Sequence, residues 1–63
     1  MLLQNKIYTD EFLEEFNLKL YAVDGLEDVN MVYTDNMGNR YNFVREEKGL
    51  IFVSFEKNKV NIF

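Results

Sequence analysis

The alternation of residue types between positions 29 and 46 predicts a β-hairpin. Every second residue in the two arms of this segment belongs to one apolar set, which comprises Val29, Met31, Tyr33, Tyr41 and Phe43. Alternate residues of a strand point to opposite faces of a sheet, so a spacing of two is typical of a β-strand. The residues between the arms, 35–39, are Asp, Asn, Met, Gly and Asn, a composition that favours a turn. The rest of the chain is organised around this hairpin.

A short helix is predicted before the hairpin. Thr9 is a good N-cap, and the two acids after it interact favourably with the positive end of the helix dipole. Tyr8 and Leu13 occupy the positions of a hydrophobic staple, and Asn17 is the predicted end. One side of this helix is acidic, and the other side carries Phe12, Leu13 and Phe16.

Three further strands are predicted, at 18–23, 50–55 and 60–63, with turns at 24–28, 47–49 and 56–59. Residues 2–8 fit either another strand or an arm packed on the core. The whole chain of 63 residues is expected to form a single domain. The sequence therefore predicts an α+β fold, with one short N-terminal helix packed on an antiparallel β-meander of four to five strands.

One small helix covers only one face of such a sheet. The other face is expected to carry Leu50 and Phe52, joined by Tyr21, Val23, Val32 and Val44. Either the sheet curls into a small barrel that buries these residues, or they form a homodimer or partner interface. We favour the interface because the core of so short a chain is small and the exposed surface would be large. Its predicted residues are Leu50, Phe52 and Val44.

Composition excludes several kinds of chemistry. The chain has neither Cys nor His, which excludes disulfides and the common zinc sites. The only Ser is Ser54, which lies inside an apolar strand with no candidate base beside it. A chain of this length also has little room for a pocket that excludes water. We therefore expect no enzymatic activity, no cofactor and no bound metal.

The composition also bears on origin and location. Residues favoured by AT-rich codons (Phe, Tyr, Met, Ile, Asn and Lys) number 29, whereas Gly, Ala, Arg and Pro together number 6. This bias is typical of a low-GC bacterium, or of a phage or mobile element in one. The sequence contains no signal-peptide pattern and no apolar run of the ~20 residues that span a bilayer. A soluble protein in the cytoplasm of a bacterial host is the expectation.

Charge is distributed unevenly along the chain. The net charge is −4, made up of −6 over residues 1–35 and +2 over residues 36–63. Proteins that bind duplex nucleic acid need Lys and Arg against the phosphates, so this balance argues against that class. It favours a basic protein partner, or serves solubility alone.

Two groups of acids are the candidate partner-binding residues. The first group consists of the helix acids Asp10, Glu11, Glu14 and Glu15. They would bind a basic groove on another protein or simply form a solvated helix face. The second group consists of Asp24, Glu27 and Asp28. These acids would extend the acidic surface of the helix or merely form a turn.

The resulting hypothesis is a small acidic protein–protein interaction module. Size, acidity and coding bias favour an inhibitor or regulator of the kind that phages and mobile elements encode, acting on a host protein such as one that handles nucleic acid. A structural homo-oligomer with no separate ligand is one alternative. The other alternative is a weak binder of single-stranded nucleic acid that stacks bases on Tyr41 and Phe43, which the net charge disfavours.

Overall fold

The computed structural model of the chain describes residues 2–26 and 29–58. It contains one short helix and a five-stranded antiparallel sheet, with the strands in the order β1-β5-β4-β3-β2. This confirms the short N-terminal helix and the antiparallel sheet, in a small fold that is mostly β. The strand predicted at 60–63 lies outside the described residues. The elements in chain order are β1 (Ile7–Tyr8), α1 (Asp10–Glu15), β2 (Lys19–Asp24), β3 (Asn30–Thr34), β4 (Arg40–Glu46) and β5 (Gly49–Glu56).

The N-terminal residues join the sheet. Ile7 and Tyr8 pair with Ile51 and Leu50 of β5. The contact continues toward the N-terminus, where the amide of Asn5 donates to the carbonyl of Phe52 at 2.9 Å. The strand order places β1 at one edge of the described sheet and β2 at the other. The described strands therefore form an open sheet, without the barrel-like closure considered as an alternative.

Helix α1 begins and ends where the sequence predicts. The Thr9 hydroxyl accepts a hydrogen bond from the amide of Phe12 at 3.2 Å, which is the N-cap contact. Asn17, with φ of 62°, adopts the left-handed conformation that ends many helices. The Tyr8 ring stacks on Phe12, with the ring centroids 5.2 Å apart, while Leu13 points into the core and is fully buried. Since an isolated helix of six residues is unstable in water, this burial holds it in place.

The core lies between α1 and one face of the sheet. Phe43 is fully buried at its centre, with Tyr33 and Phe52 each 5.4 Å away between ring centroids. Each such side chain contributes roughly 1.5–3 kcal/mol when it leaves water. The core consists of Tyr8, Leu13, Leu18, Met31, Tyr33, Phe43, Leu50 and Phe52.

The expectation that Leu50 and Phe52 lie on the face away from the helix is wrong. Phe52 pairs with Phe43, so both rings point toward α1, and Leu50 shares that side. Their side chains are 6% and 1% exposed, respectively. Alternation along β5 does separate two sets of residues, but the pairing with β4 decides which set meets the helix.

Two irregularities alter the alternation within the strands. In β4 and β5 the register shifts between Asn42 and Phe43, so that Phe55 joins Phe52 on the helix side of the sheet. In β2 it shifts between Leu20 and Ala22. A β-bulge of this kind adds a residue to one strand and reverses the alternation beyond it. Faces predicted by strict alternation therefore fail past each bulge.

The sheet face opposite α1, which we call the open face, carries a mixture of apolar and polar side chains. Cross-strand partners share a face, and the row Ile7, Ile51 and Val44 runs across three strands of the open face. Val32 lies on the same side, through its pairing with Asn42. Of the predicted interface residues, only Val44 lies on this face, and it is half-buried.

Candidate functional site

The acids of α1 all lie exposed at the protein surface. Glu14 and Glu15 occupy the last turn of the helix, which contains no basic residue. The carboxyl end of a helix carries partial negative charge, so acids there destabilise it by a few tenths of a kcal/mol, whereas acids in the first turn stabilise it. Helix stability therefore accounts for Asp10 and Glu11 but not for Glu14 and Glu15.

Asp10 also has a structural role. Its carboxylate accepts a hydrogen bond from the Tyr33 hydroxyl at 3.1 Å, which ties α1 to β3. Burial, with this hydrogen bond and the negative charge of Asp10, raises the pKa of Tyr33 to about 12. Arg45 acts weakly in the opposite direction. Removing Asp10 would thus disturb the fold as well as the surface charge.

Of the second group of predicted acids, the structure describes only Asp24, which lies apart from the helix acids. Asp24 ends β2, and five residue steps of strand, about 17 Å, separate it from Lys19. Lys19 lies at the helix end of that strand, where it lines a shallow depression together with Glu14. Asp24 is therefore remote from the acidic helix. Glu27 and Asp28 lie outside the described residues.

Exposed apolar side chains are the most prominent feature of the described surface. They are more numerous than the eight that form the core. The sequence predicts an exposed apolar surface that includes Tyr21 and Val23, but it places the buried Leu50 and Phe52 there as well, because alternation predicts which residues share a face and not which face is covered. The eleven large apolar side chains that remain exposed are Leu3, Ile7, Phe12, Phe16, Leu20, Tyr21, Val23, Leu26, Met37, Val53 and Phe55.

An apolar cleft lies beside the helix, on the same side of the sheet. Leu2, Tyr41, Phe52 and Phe55 line it, and the rings of Tyr41 and Phe55 meet edge to face at 5.0 Å. The base-stacking alternative named Tyr41 and Phe43. Phe43 is fully buried, so its ring is not accessible for stacking, whereas Tyr41 is half-buried and its hydroxyl donates to Asp35 at 2.9 Å.

Residues 35–39 form a turn, as the sequence predicts, and the Asp35 carboxylate accepts hydrogen bonds in and beside it. One carboxylate oxygen of Asp35 accepts from the amides of Met37 and Asn39 at 2.9 and 3.0 Å. The other accepts from the Asn39 side chain and the Tyr41 hydroxyl, both at 2.9 Å. These hydrogen bonds, with that of the Asn39 side chain the strongest, lower the pKa of Asp35. The carboxylate is therefore a structural element of the turn.

Within residues 2–26 and 29–58, no three His, Cys, Asp or Glu side chains are grouped so that they could hold a metal ion. In the same part of the chain, no helix has the length and apolar character needed to cross a membrane. Comparisons of the chain with protein-family models, curated proteins and solved structures found no match.

Proposed function

We propose that the protein is a small acidic protein-binding module. The observation that carries this proposal is the excess of exposed over buried large apolar side chains, eleven against eight in the described part of the chain. Exposed apolar surface is costly in water, and extended patches of it mark sites of association. A partner surface that covers some of these side chains would regain that free energy.

The acidic helix is the contact surface that we propose. Phe12 and Phe16 are 37% and 45% exposed, and their rings meet edge to face at 4.9 Å. Aromatic side chains surrounded by charge resemble the centre and rim of many protein interfaces. Glu14 and Glu15 add negative charge where it opposes helix stability, which is consistent with a role in binding. A basic surface on the partner would complement them.

The biological setting remains part of the proposal. Acidity, small size and coding bias support an inhibitor or regulator of the phage or mobile-element type, with no catalytic activity of its own. It would act in the cytoplasm of a bacterial host, on a host protein whose basic surface is suited to nucleic acid. Self-association is compatible with this function, because the contact between copies and the acidic helix can be separate surfaces.

Two matched charge-reversal variants test the proposal. Glu14→Lys/Glu15→Lys reverses the last turn of the helix, and Glu46→Lys/Glu47→Lys makes the same change in net charge at the β4–β5 turn. Each variant and the wild type is immobilised and exposed to a low-GC bacterial lysate, and captured proteins are quantified by mass spectrometry. We expect specific proteins to be enriched by the wild type and the turn variant, and at least tenfold less by the helix variant.

A stability measurement separates loss of binding from loss of folding. Replacing Glu14 and Glu15 by Lys puts positive charge at the negative end of the helix dipole, which should leave the free energy of unfolding unchanged or raise it by about 0.3–1 kcal/mol. Urea unfolding checks this. Capture that is equal for the two variants, or no enrichment by the wild type over blank beads, would contradict the proposed surface.

A further inference from the structure

Strand β2 forms an edge of the described sheet that differs from the other edge. β1 has only two residues, and very short edge strands are one way in which proteins avoid unwanted pairing. β2 has six residues, and among residues 2–26 and 29–58 it pairs with β3 on one side alone. Its apolar side chains are open to solvent, with Leu20 50%, Tyr21 62% and Val23 55% exposed. A long apolar edge of this kind is a template for another strand.

We propose that a second copy of this chain occupies that edge, so that two β2 strands pair antiparallel about a twofold axis and join the sheets of the two copies. In a twofold contact the same surface must complement itself. The sequence of β2, Lys-Leu-Tyr-Ala-Val-Asp, meets this requirement. When it is paired antiparallel over its full length, Lys19 lies opposite Asp24 of the second copy, and Leu20 lies opposite Val23 of the second copy.

The faces of the residues support the same register. Leu20 and Val23 pair with Tyr33 and Met31, so both lie on the helix side of the sheet. Their separation by three positions, where an unbroken strand would require two or four, is a consequence of the bulge in β2. In the proposed register these two exposed apolar residues face each other across the junction on one side.

The remaining four residues of β2 lie on the open face. Lys19, Ala22 and Asp24 pair with Thr34, Val32 and Asn30, which all lie on that side. The Tyr21 ring is there too, because the guanidinium of Arg40, itself opposite Thr34, lies 5.1 Å from its centroid. In the proposed register Tyr21 lies opposite Ala22 of the second copy. Every residue of β2 therefore lies opposite a residue on the same side of the sheet.

Neighbouring registers lack this agreement. A shift by one residue in one direction places Leu20, on the helix side, opposite Asp24 of the second copy, on the open face. A shift in the other direction places Leu20 opposite Ala22 of the second copy, again across faces. Lys19 and the bulge are features that commonly discourage pairing at an edge. In the full-length register, however, each Lys19 meets an acid.

Charge exchange across the junction tests the register. Lys19→Asp gives a chain with acids at both ends of β2, and Asp24→Lys gives one with bases at both ends, so each variant alone places two like-charge pairs in its homodimer. Mixed one to one, the two variants form a heterodimer with two opposite-charge pairs. Cross-strand charge pairs of this kind change association by about tenfold for two pairs. Molar mass is measured by light scattering and sedimentation over a concentration series at low salt.

We expect the wild type to dimerise, each single variant to dimerise about tenfold more weakly, and their mixture to regain the affinity of the wild type. A change that merely damaged folding could not be rescued by mixing. The matched control pair, Lys48→Asp and Glu47→Lys, alters net charge in the same way at the β4–β5 turn and should dimerise as the wild type does. A wild type that is monomeric at all soluble concentrations overturns the proposal, as does a mixture that associates no more tightly than its components.

Discussion

At the scale of single residues, the Tyr33 hydroxyl is a polar group that connects the helix to the sheet. The Tyr33 side chain is 6% exposed, and its hydroxyl donates to Asp10 across 23 residues of sequence. Both burial and the acceptor favour the neutral phenol, which is why its pKa rises from 10.0 to about 12. The helix contact is therefore linked to pH.

Alkaline unfolding should reveal this linkage. Below pH 10 the folded and unfolded chains both hold the Tyr33 proton, and the contribution to stability is complete. Between pH 10 and 12 the unfolded chain releases the proton while the folded chain retains it, so the free energy of unfolding falls, by an amount on the order of 2 kcal/mol. Urea unfolding at several alkaline pH values should show this fall in the free energy of unfolding in the wild type and not in Tyr33→Phe.

A second variant separates the causes of the shift. Asp10→Asn removes the negative charge and leaves the burial, which is the largest cause. The pKa of Tyr33, followed by tyrosinate absorbance, should therefore fall in this variant but stay above its ordinary value. An unchanged titration in Asp10→Asn would mean that the negative charge of Asp10 does not contribute to the raised pKa of Tyr33.

Asp35 shows how much of a side chain's role the sequence predicts. The Asp, Asn and Gly content of 35–39 is sufficient to predict a turn. It does not predict that one carboxylate accepts from two amides, a side-chain amide and the Tyr41 hydroxyl, because that contact depends on the register of β3 and β4. Since the folded pKa of Asp35 is lowered, its contribution to stability is present above pH 3.8 and lost as pH falls through the lower folded value.

At the scale of elements, local sequence signals predict which helices and strands form, and where they end, better than they predict which face of the sheet a residue lies on. The Thr9 cap and the Asn17 stop fix α1 correctly because both act within a few residues. The hairpin of β3 and β4 follows from alternation and turn chemistry for the same reason. Alternation predicts the wrong face for Leu50 and Phe52 because the register with β4 is a non-local property, and bulges leave no distinct signal in this sequence.

The joint between β1 and β5 depends on Gly49. This residue has a φ of 148°, and a Cβ added there would lie 2.5 Å from the carbonyl oxygen of Tyr8. Because that neighbour is backbone, Gly49→Ala must displace β1, and we expect a cost of roughly 2–3 kcal/mol in the free energy of unfolding. Urea unfolding measures the total, and hydrogen exchange should show lost protection at the Tyr8 and Leu50 pairing.

Gly38 provides the matched comparison. It also has a positive φ, 81°, but its added Cβ would meet the side-chain amide of Asn58 at 2.6 Å, and that side chain can turn away. Gly38→Ala should therefore cost only about 1 kcal/mol, the usual penalty for the left-handed conformation. Equal costs for the two variants would mean that the approach of Tyr8 to Gly49 is unimportant.

At the scale of the whole molecule, the sheet is covered by the helix on one side and lacks a described cover on the other. The sequence predicts this two-layer arrangement, because a single helix of two turns or less can shield only one face. It does not predict the strand order, since β1 pairs with β5 across more than forty residues. Among the described strands, this order makes β2 an edge, which leaves its apolar residues exposed.

At the scale of the whole molecule, two copies could associate in two ways. They could pack face to face through the open face, or pair edge to edge through β2. Val44 and Val23 offer a matched pair of substitutions, because both are valines in strands and each lies on one of these surfaces. Val23→Lys places a charge where we expect the apolar junction and should yield a monomer. Val44→Lys places the same charge on the open face and should keep the dimer mass, measured by light scattering. The reverse result would assign the contact to the open face, with β2 left as an unpaired edge.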